Sequence, residues 1–364
     1  MEKNRLTTKL RFGWTTGTCA TAACHAAFYG LIGKPVPKIV SILTPSGKTA
    51  MLAVEDFKQD SAEAVSASII KDAGDDPDVT HGAKISATLA FRPEDDAGIR
   101  FFAGSGVGVV TKSGLPLAVG EPAINPVPRQ MMIDTICALA AEFGVSSAIN
   151  VTISVENGAA LALKTWNPRL GIEGGLSILG TSGVVRPYSC SAWIASIHRG
   201  VDVGIANQLD HMIATTGSTS ERCALNHYPT TPISLLDMGD FIGGLLKYMR
   251  NHPLPSLTIA GGFAKLTKFA QGANDLHNAR AQLDFKKLGE VAQGMAGIDA
   301  QRVESANTAY EVLQRLTQAE RTALCTAIAG LCKQRAFELL RHEHTKMNIM
   351  LVARDGALLY QTGF

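Results

Sequence analysis

The sequence predicts an α/β protein with two domains. Its 364 residues are enough for two domains and a sizeable core. Hydrophobic residues make up 46% of the chain and charged residues 18%, which is typical of a compact globular protein. Strand and turn patterns dominate the first part, whereas strands and helices alternate in the second. We therefore expect a mixed α+β domain over residues 1–165 and a Rossmann-like, mostly parallel α/β domain over residues 166–364.

Charge and cysteine content exclude several classes of protein. The formal net charge of +2 argues against a general nucleic-acid or membrane-surface protein. The seven cysteines include no CxxC pair, so reduced thiols are expected rather than a disulfide framework or zinc knuckle. Residues 1–14 lack the apolar stretch of a signal peptide. No apolar run approaches the roughly 20 residues that a spanning helix needs, so we expect a cytoplasmic protein.

The first strong element is an alanine-rich helix from about Cys19 to Tyr29. Alanine is the best helix former, and Thr16 or Thr18 in the preceding Thr-Thr-Gly-Thr loop is the expected N-cap. Free N–H groups and hydroxyls at such an N-terminus can bind an anion, and ordinary capping is the alternative.

The rest of the first part predicts strands, turns and one further helix. A glycine loop at 104–108, with Lys112 close by, resembles a strand–turn–strand, and Arg129 precedes the helix. The expected elements are a hairpin at 39–56 turning at Ser46-Gly47, a strand at 83–91, a helix at 131–143 and a hairpin at 151–165 turning at Asn157-Gly158.

Residues 67–82 place several charged side chains in one Gly/Pro loop. A carboxylate cluster of this kind can bind a hard cation or accept a proton, although the spacing does not fit an EF-hand. A solvated turn is the alternative. The side chains concerned are Lys71, Asp72, Asp75, Asp76, Asp78 and His81.

The stretch 171–189 predicts a strand, a glycine loop and a helix in succession. Residues 176–179 form a short apolar run, Gly180-Thr181-Ser182-Gly183 follows, and a helix is expected from near Ala192. This order presents backbone N–H groups to nucleotide-like ligands in open α/β sheets. The alternative is a tight turn without a ligand.

In the second part three loops are expected to converge on one crevice: 180–183, 215–221 and 261–265. Each follows a predicted strand, and ligands in such sheets bind at the carboxyl ends of strands. Asp237 and Asp240 also follow a strand, where a carboxylate often holds a ribose hydroxyl. Lys265 and Lys268 share a helix face that can meet an acidic ligand. Beyond them we expect helices over 288–341 and a buried strand at 347–353.

Together these motifs resemble one family, the CbiD proteins of cobalamin biosynthesis, which are cobalt-precorrin-5B C1-methyltransferases. The loop 215–229 departs from the commonest form of the family. The resemblance implies transfer of a methyl group from S-adenosylmethionine to C1 of a cobalt-containing tetrapyrrole. The segments that carry it are Gly13–Cys19, Lys71–Thr80, Gly104–Leu115, 121–129, 167–189 and Lys265–His277.

For that reaction we expect the nucleoside cofactor on the glycine loops and the carboxylate arms of the substrate on loop-edge cations. The first-part loops would face the macrocycle across the domain cleft, with Asp75 or Asp76 as proton acceptor. Cobalt arrives inside the substrate, so no metal site is expected. The cofactor residues are Gly180, Thr181, Ser182, Gly183, Thr216, Gly217, Ser218 and Asp237. The substrate residues are Thr15, Thr16, Thr18, Lys71, Lys112, Arg129, Arg186 and Lys265.

Two other functional classes remain open at this level. A phosphotransferase would also use Thr/Gly loops and an aspartate cluster with magnesium, and a non-catalytic corrinoid-binding protein would ignore S-adenosylmethionine. The expected partner is the tetrapyrrole, with no nucleic acid and no membrane. A homo-oligomer and transient contacts with neighbouring pathway enzymes are left open.

Overall fold

The computed structural model describes residues 10–61, 63–93 and 98–364, which divide into two compact units between Ser189 and Cys190. The α/β fold class is confirmed, because the first unit mixes mainly antiparallel strands with few helices and the second carries a mostly parallel sheet. The predicted absence of a signal peptide concerns mainly residues 1–9, which lie outside the described residues.

The elements of the first unit are short strands with two long helices. Its helices are α1 (Thr16–Leu31), α2 (Pro126–Phe143) and α3 (Gly158–Ala162), with a 3-10 turn at Asn167–Leu170. Its strands are β1 (Gly13–Trp14), β2 (Ile39–Leu43), β3 (Thr49–Ala53), β4 (Asp56–Gln59), β5 (Ala64–Ile70), β6 (Lys84–Phe91), β7 (Ile99–Ala103), β8 (Val109–Val110), β9 (Ile149–Val155), β10 (Ile172–Glu173) and β11 (Val184–Val185).

The core of the first unit lies between α1 and a five-stranded sheet. The sheet has the order β4-β5-β6-β9-β7, in which only the β7–β9 pair is parallel. In β6, Ile85, Ala87 and Leu89 alternate with half-buried residues and face the core. Small residues along α1 are buried on every side, which lets the helix pack closely on β5, β6 and α2.

Segment 166–189 belongs to the first unit, so the structure divides later than the predicted boundary at residue 165. Here β10 pairs with β8 and β11 pairs with β1, both antiparallel. Strand pairing therefore assigns this segment to the first unit, and a change in composition does not reveal such pairing.

Several local predictions for the first unit hold and others are wrong. The hairpin at 39–56, the strand at 83–91 and the alanine-rich helix are confirmed, but Thr15 is the N-cap of α1. Helix α2 begins at Pro126, because proline suits the first helical positions, where no N–H donor is needed.

The predicted hairpin at 151–165 and the predicted strand at 176–179 are wrong. Asn157 is left-handed with φ 55° but leads into α3 rather than a second strand. Leu176 and Ile178 make only isolated bridges, to Val107 and Ile124. In both cases packing against neighbouring backbone overrides the local turn or apolar signal.

The second unit alternates strands with helices. Its strands are β12 (His211–Thr215), β13 (Leu235–Asp237), β14 (Ser256–Gly262), β15 (Lys346–Val352) and β16 (Leu358–Gln361). Its helices are α4 (Cys190–Ala206), α5 (Ser218–His227), α6 (Ile242–Met249), α7 (Phe263–Ala270), α8 (Phe285–Ala296), α9 (Ala300–Glu304), α10 (Ala309–Arg315) and α11 (Gln318–Leu340), with a 3-10 turn at Pro232–Ser234.

The sheet of the second unit has the order β13-β12-β14-β15-β16, and its first four strands are parallel. From β12 the chain passes through α5 to β13, which lies on one side of β12. It then passes through α6 to β14, which lies on the other side of β12. The strand order therefore reverses between β12 and β14, and ligands of open α/β sheets bind at such a switch point. Strand β16 is antiparallel and was not predicted.

Across the described ranges, every helix is too short or too polar to traverse a bilayer.

Candidate functional site

The N-terminus of α1 is occupied by protein groups. The Gly17 N–H donates to the carbonyl of Leu179 at 3.0 Å, and the Thr18 N–H donates to Thr15 Oγ1 at 3.2 Å. The hydroxyl of Thr18 donates to the carbonyl of Gly183 at 2.7 Å. The expectation of free N–H groups is therefore wrong for Gly17 and Thr18.

Thr16 completes the attachment between α1 and the following loop. Its hydroxyl accepts from the Leu179 N–H at 2.8 Å and lies 3.3 Å from the Ser177 carbonyl. Thr15, Thr16 and Thr18 are all buried. The hydroxyls of Thr16 and Thr18 hold the glycine loop to the helix, and a contact of all three residues with substrate stays a prediction.

Gly180 and Gly183 let this loop approach other residues of the first unit closely. Gly180 has φ +134°, and a Cβ built on it would lie 2.3 Å from Thr15 Oγ1. Gly183 has φ +76°, and its Cβ would lie 2.6 Å from Thr44 Cβ. Glycine is required here for contact within the protein.

Between these glycines, Thr181 is exposed and Ser182 is half-buried. The Ser182 carbonyl accepts from the Ser46 N–H at 3.1 Å. Binding of the cofactor by residues 180–183 stays a prediction, but the loop follows none of the strands of the second unit's sheet. Convergence of this loop with the other two on one crevice stays a prediction.

The carboxylates after β5 are held by neighbouring groups. Arg11 Nη2 donates to Asp72 Oδ1 at 2.9 Å, and the Arg11 N–H donates to Asp75 Oδ2 at 2.6 Å. The Tyr188 N–H donates to Asp76 Oδ1 at 2.8 Å. These bonds fix the positions of the two expected proton acceptors, Asp75 and Asp76, whose catalytic role stays a prediction.

Lys71 forms a buried ion pair with Asp78. Its Nζ lies 2.7 Å from Asp78 Oδ2, and the two side chains are 1% and 25% exposed. Burial acts to raise the pKa of Asp78, but the charge of Lys71 and hydrogen bonds from Lys71 and Thr80 outweigh burial and hold this pKa below its usual range. Lys71 is thus an internal counter-charge, and its contact with substrate stays a prediction.

Of the other expected substrate cations, Arg129 is used within the fold. Its Nε donates to the Ile124 carbonyl at 2.7 Å, and its Nη2 donates to Glu121 Oε2 at 3.1 Å. Lys112 and Arg186 are exposed, so their charges reach solvent. Substrate contacts of all three stay predictions.

In the second unit, two strand ends bring predicted residues side by side. Thr215, the last residue of β12, is in register with Asp237, the last residue of β13. Gly217 follows as the N-cap of α5 with φ +152°, and a Cβ built there meets none of the described atoms within 4 Å. Ser218 is exposed at the first position of α5. This glycine therefore faces open space at the carboxyl end of the sheet.

Helix α7 follows β14 directly, without the loop predicted at 261–265, and its first turn approaches the same strand ends. Lys265 Nζ donates to the Thr216 carbonyl at 2.9 Å and lies 3.1 Å from Asp240 Oδ1. Gly262 also faces open space among the described residues. The ends of β12, β13 and β14 thus bring together backbone N–H groups, carboxylates and one partly exposed ammonium.

Lys268 does not share the exposed position of Lys265. It is 6% exposed, and its Nζ donates to the Leu276 carbonyl at 3.1 Å and to Asn278 Oδ1 at 2.5 Å. Burial lowers the pKa of Lys268. The expected basic helix face formed by both lysines is therefore wrong, and only Lys265 of the two is partly exposed.

Trp193 lies at the end of β13 and was not among the predicted residues. Its indole Nε1–H donates to the Asp237 carbonyl at 3.0 Å, although it comes 44 residues earlier in the chain. In the sequence, Trp193 is recognisable only as a tryptophan near the start of a predicted helix. Its contact with Asp237 depends on how α4 packs, which the sequence does not show.

Among the side chains that the structure describes, no three His, Cys, Asp or Glu residues are grouped so as to hold a metal ion.

Comparison with known proteins identifies the family. The CbiD family model matches residues 3–187, and the model described as CbiD, C-terminal domain, matches residues 275–363. The chain belongs to the CbiD family. The resemblance read from the sequence motifs is confirmed.

Among other CbiD proteins, the cobalt-precorrin-5B C(1)-methyltransferase of Rhodospirillum rubrum is 52% identical over 97% of this chain and 98% of its own. The protein of the same name from Brucella canis is 51% identical over 98% of this chain and 97% of its own. A crystal structure of the cobalamin biosynthesis protein CbiD from Archaeoglobus fulgidus is 29% identical, covers 74% of this chain and 83% of its own, and has a TM-score of 0.41.

Proposed function

We propose that this chain is an S-adenosylmethionine-dependent methyltransferase that transfers a methyl group to C1 of cobalt-precorrin-5B. The observation that carries the proposal is its 52% identity, over almost the full length of both chains, to the Rhodospirillum rubrum protein of that name. The two alternative classes, phosphotransferase and corrinoid carrier, gain no support from the names of the relatives.

We place the nucleoside cofactor at the end of β12 and β13. The β12–α5–β13 unit has the order of a nucleotide-binding half of a Rossmann-like sheet. Gly217 leaves space for close approach of a ligand to the backbone, and the Asp237 carboxylate suits a ribose hydroxyl. The N–H groups of the first turn of α5, from Ser218 onward, suit the carboxylate of the methionine part.

Methyl transfer places modest chemical demands on the protein. It is an in-line displacement at carbon, and positioning and exclusion of water contribute more to it than a strong nucleophile does. Lys112 and Arg186, which are exposed, suit the carboxylate arms of the tetrapyrrole. Asp75 and Asp76 remain the candidate proton acceptors. Cobalt belongs to the substrate.

Calorimetric titration with S-adenosylhomocysteine tests this placement. We expect the wild type to bind and both Gly217→Val and Asp237→Ala to bind about tenfold more weakly or worse, because the first fills the open space and the second removes a charged hydrogen-bond acceptor. Asp210→Ala is the matched control, since Asp210 is an exposed aspartate just before β12, at the opposite end of the strand. Its affinity should equal that of the wild type.

The outcomes separate the candidate functions. Unchanged affinity in both site variants would move the cofactor elsewhere in the chain and leave the methyltransferase in place. No binding in the wild type, with or without tetrapyrrole, would contradict the methyltransferase, and tight ATP binding would then indicate a phosphotransferase. Transfer of a methyl group to cobalt-precorrin-5B, detected by mass spectrometry, tests the reaction itself.

A further inference from the structure

We infer that the exposed indole of Trp193 is the surface on which the adenine ring of the methyl donor stacks. The inference rests on the proposed function and names a residue that forms part of the cofactor site. The structural basis is the position of Trp193 beside the end of β13, where the ribose-binding carboxylate is proposed.

The orientation of the indole is fixed from two sides. Its Nε1–H donates to the Asp237 carbonyl at 3.0 Å. A Cβ built on Gly239 would lie 3.3 to 3.5 Å from three atoms of the indole. Because Gly239 has no side chain, the ring packs directly over the loop that follows β13. Trp193 is therefore positioned by the strand end rather than by contacts on α4 alone.

A neighbouring ring extends the aromatic surface. The centroid of Phe241 lies 6.3 Å from that of Trp193, with 53° between the planes. Such a tilted pair is a stable aromatic arrangement that limits rotation of both side chains. The pair forms one wall beside Asp237.

Trp193 nevertheless remains 43% exposed. A large rigid ring at the carboxyl end of parallel strands suits a planar ligand, because such sheets bind ligands at this end. Stacking on an aromatic side chain is independent of hydrogen-bond pattern and accepts any base. Asp237 directly precedes the loop under the indole, so a ribose held by its carboxylate would place the attached base within reach of the ring. Adenine is the occupant we infer, because it is the base that the proposed cofactor carries.

The same titration with S-adenosylhomocysteine tests the role of the ring. Trp193→Leu keeps an apolar side chain over Gly239 but removes the π surface, and we expect its Kd to rise about tenfold. Trp193→Phe keeps a ring, and its Kd should stay within about threefold of the wild type. Tyr310→Leu, which removes a 50% exposed ring from α10, is the control and should leave the Kd unchanged.

Tryptophan fluorescence provides a second readout. The chain has three tryptophans, and Trp193 is the one in the second unit. Stacking of adenine should quench wild-type emission on titration, and Trp193→Phe should lose this quenching while it keeps its affinity. A merely structural role for the ring would not produce this separation of affinity from quenching.

Three results would count against the inference. Equal affinities of Trp193→Leu and the wild type would overturn it and leave the proposed function intact. If Trp193→Leu lost tetrapyrrole binding but bound S-adenosylhomocysteine as the wild type does, the ring would belong to the macrocycle site, and the inference would be overturned as well. Failure of the wild type to bind S-adenosylhomocysteine would overturn the proposed function, and the inference with it, before any variant is compared.

Discussion

Two glycine loops with similar sequences are used in opposite ways. Residues 179–183 in the first unit and 215–219 in the second unit each combine glycine with threonine and serine. In the first unit, Gly183 lies against Thr44, and its carbonyl accepts from Thr18. In the second unit, Gly217 faces open space among the described residues. The same composition therefore closes one loop onto the protein and leaves the other open to a ligand.

The difference teaches that a glycine and hydroxyl motif has no fixed function. A buried hydroxyl must find a hydrogen-bond partner. In the first unit, the buried hydroxyls of Thr16 and Thr18 in α1 bond to backbone carbonyls of the glycine loop. At the end of a parallel strand the backbone has already satisfied its sheet bonds, so the next residues are free to face a ligand. Matched substitutions in the two regions should separate stability from binding.

The largest contrast is expected between two aspartates that each pair with a lysine. Asp78→Asn should lower the free energy of unfolding by about 4 kcal/mol, because it leaves Lys71, 1% exposed, as a buried charge without its counter-ion. Asp240→Asn should cost less than about 1 kcal/mol, because Lys265 is 37% exposed to water and keeps its bond to the Thr216 carbonyl. Urea unfolding of both variants measures the difference.

Similar losses in the two variants would show that the Lys71–Asp78 pair is no more buried in solution than its counterpart. The wild type and the exposed variant Asp210→Asn provide the baseline for both measurements.

A smaller contrast is expected between two glycines at loop positions. Gly183→Ala should cost about 3 kcal/mol, since alanine is strained at φ +76° and its Cβ would lie 2.6 Å from Thr44 Cβ. Gly262→Ala should stay within about 0.5 kcal/mol of the wild type, because φ is −61° and the Cβ meets open space among the described atoms. Thermal unfolding of the two variants checks both values. A Gly183→Ala protein as stable as the wild type would mean that the first loop also has room for a ligand.

Hydroxyl removal should give a weaker contrast. Thr18→Val keeps the shape of the side chain but removes the donor to the Gly183 carbonyl, at a cost of about 1 kcal/mol. Ser218 is exposed and is one of the predicted cofactor residues, so Ser218→Ala, which removes its hydroxyl, should leave stability unchanged and weaken S-adenosylhomocysteine binding roughly fivefold. Denaturation and calorimetry on the same samples distinguish the two effects. Unchanged stability of Thr18→Val would contradict a structural role of that hydroxyl.

The smallest expected effect is the response of the first unit to acid. The pKa of Asp78 is below its usual range in the folded protein, because Lys71 and Thr80 outweigh the effect of burial. A carboxyl of this kind stabilises the fold above its unfolded pKa, and the stabilisation is lost as pH falls through the folded value. The stability gap between wild type and Asp78→Asn should therefore narrow below about pH 4. A gap that is constant from neutral pH to pH 3 would show that Asp78 does not titrate there.

Elements with a strong local pattern were predictable. Helix α1 follows from its alanines, and the hairpin β2–β3 follows from its alternation and Ser-Gly turn. The parallel order of the second unit follows from alternating strands and helices, because parallel strands need crossover connections. The sequence motifs also identified the CbiD family, and Gly217 and Asp237 were named as neighbours of one ligand.

Tertiary structure alone decided which of the named residues face solvent and which face the protein. Asn157-Gly158 has the sequence of a hairpin turn, yet a Cβ on Gly158 would lie 2.1 Å from the Gly106 carbonyl, and the chain enters a helix. The contact of Trp193 with Asp237 joins separate elements, and the spacing of Lys71 and Asp78 within one loop does not reveal that Lys71 is buried. Local sequence determines backbone preference, whereas the environment of each side chain depends on which distant segment packs against it.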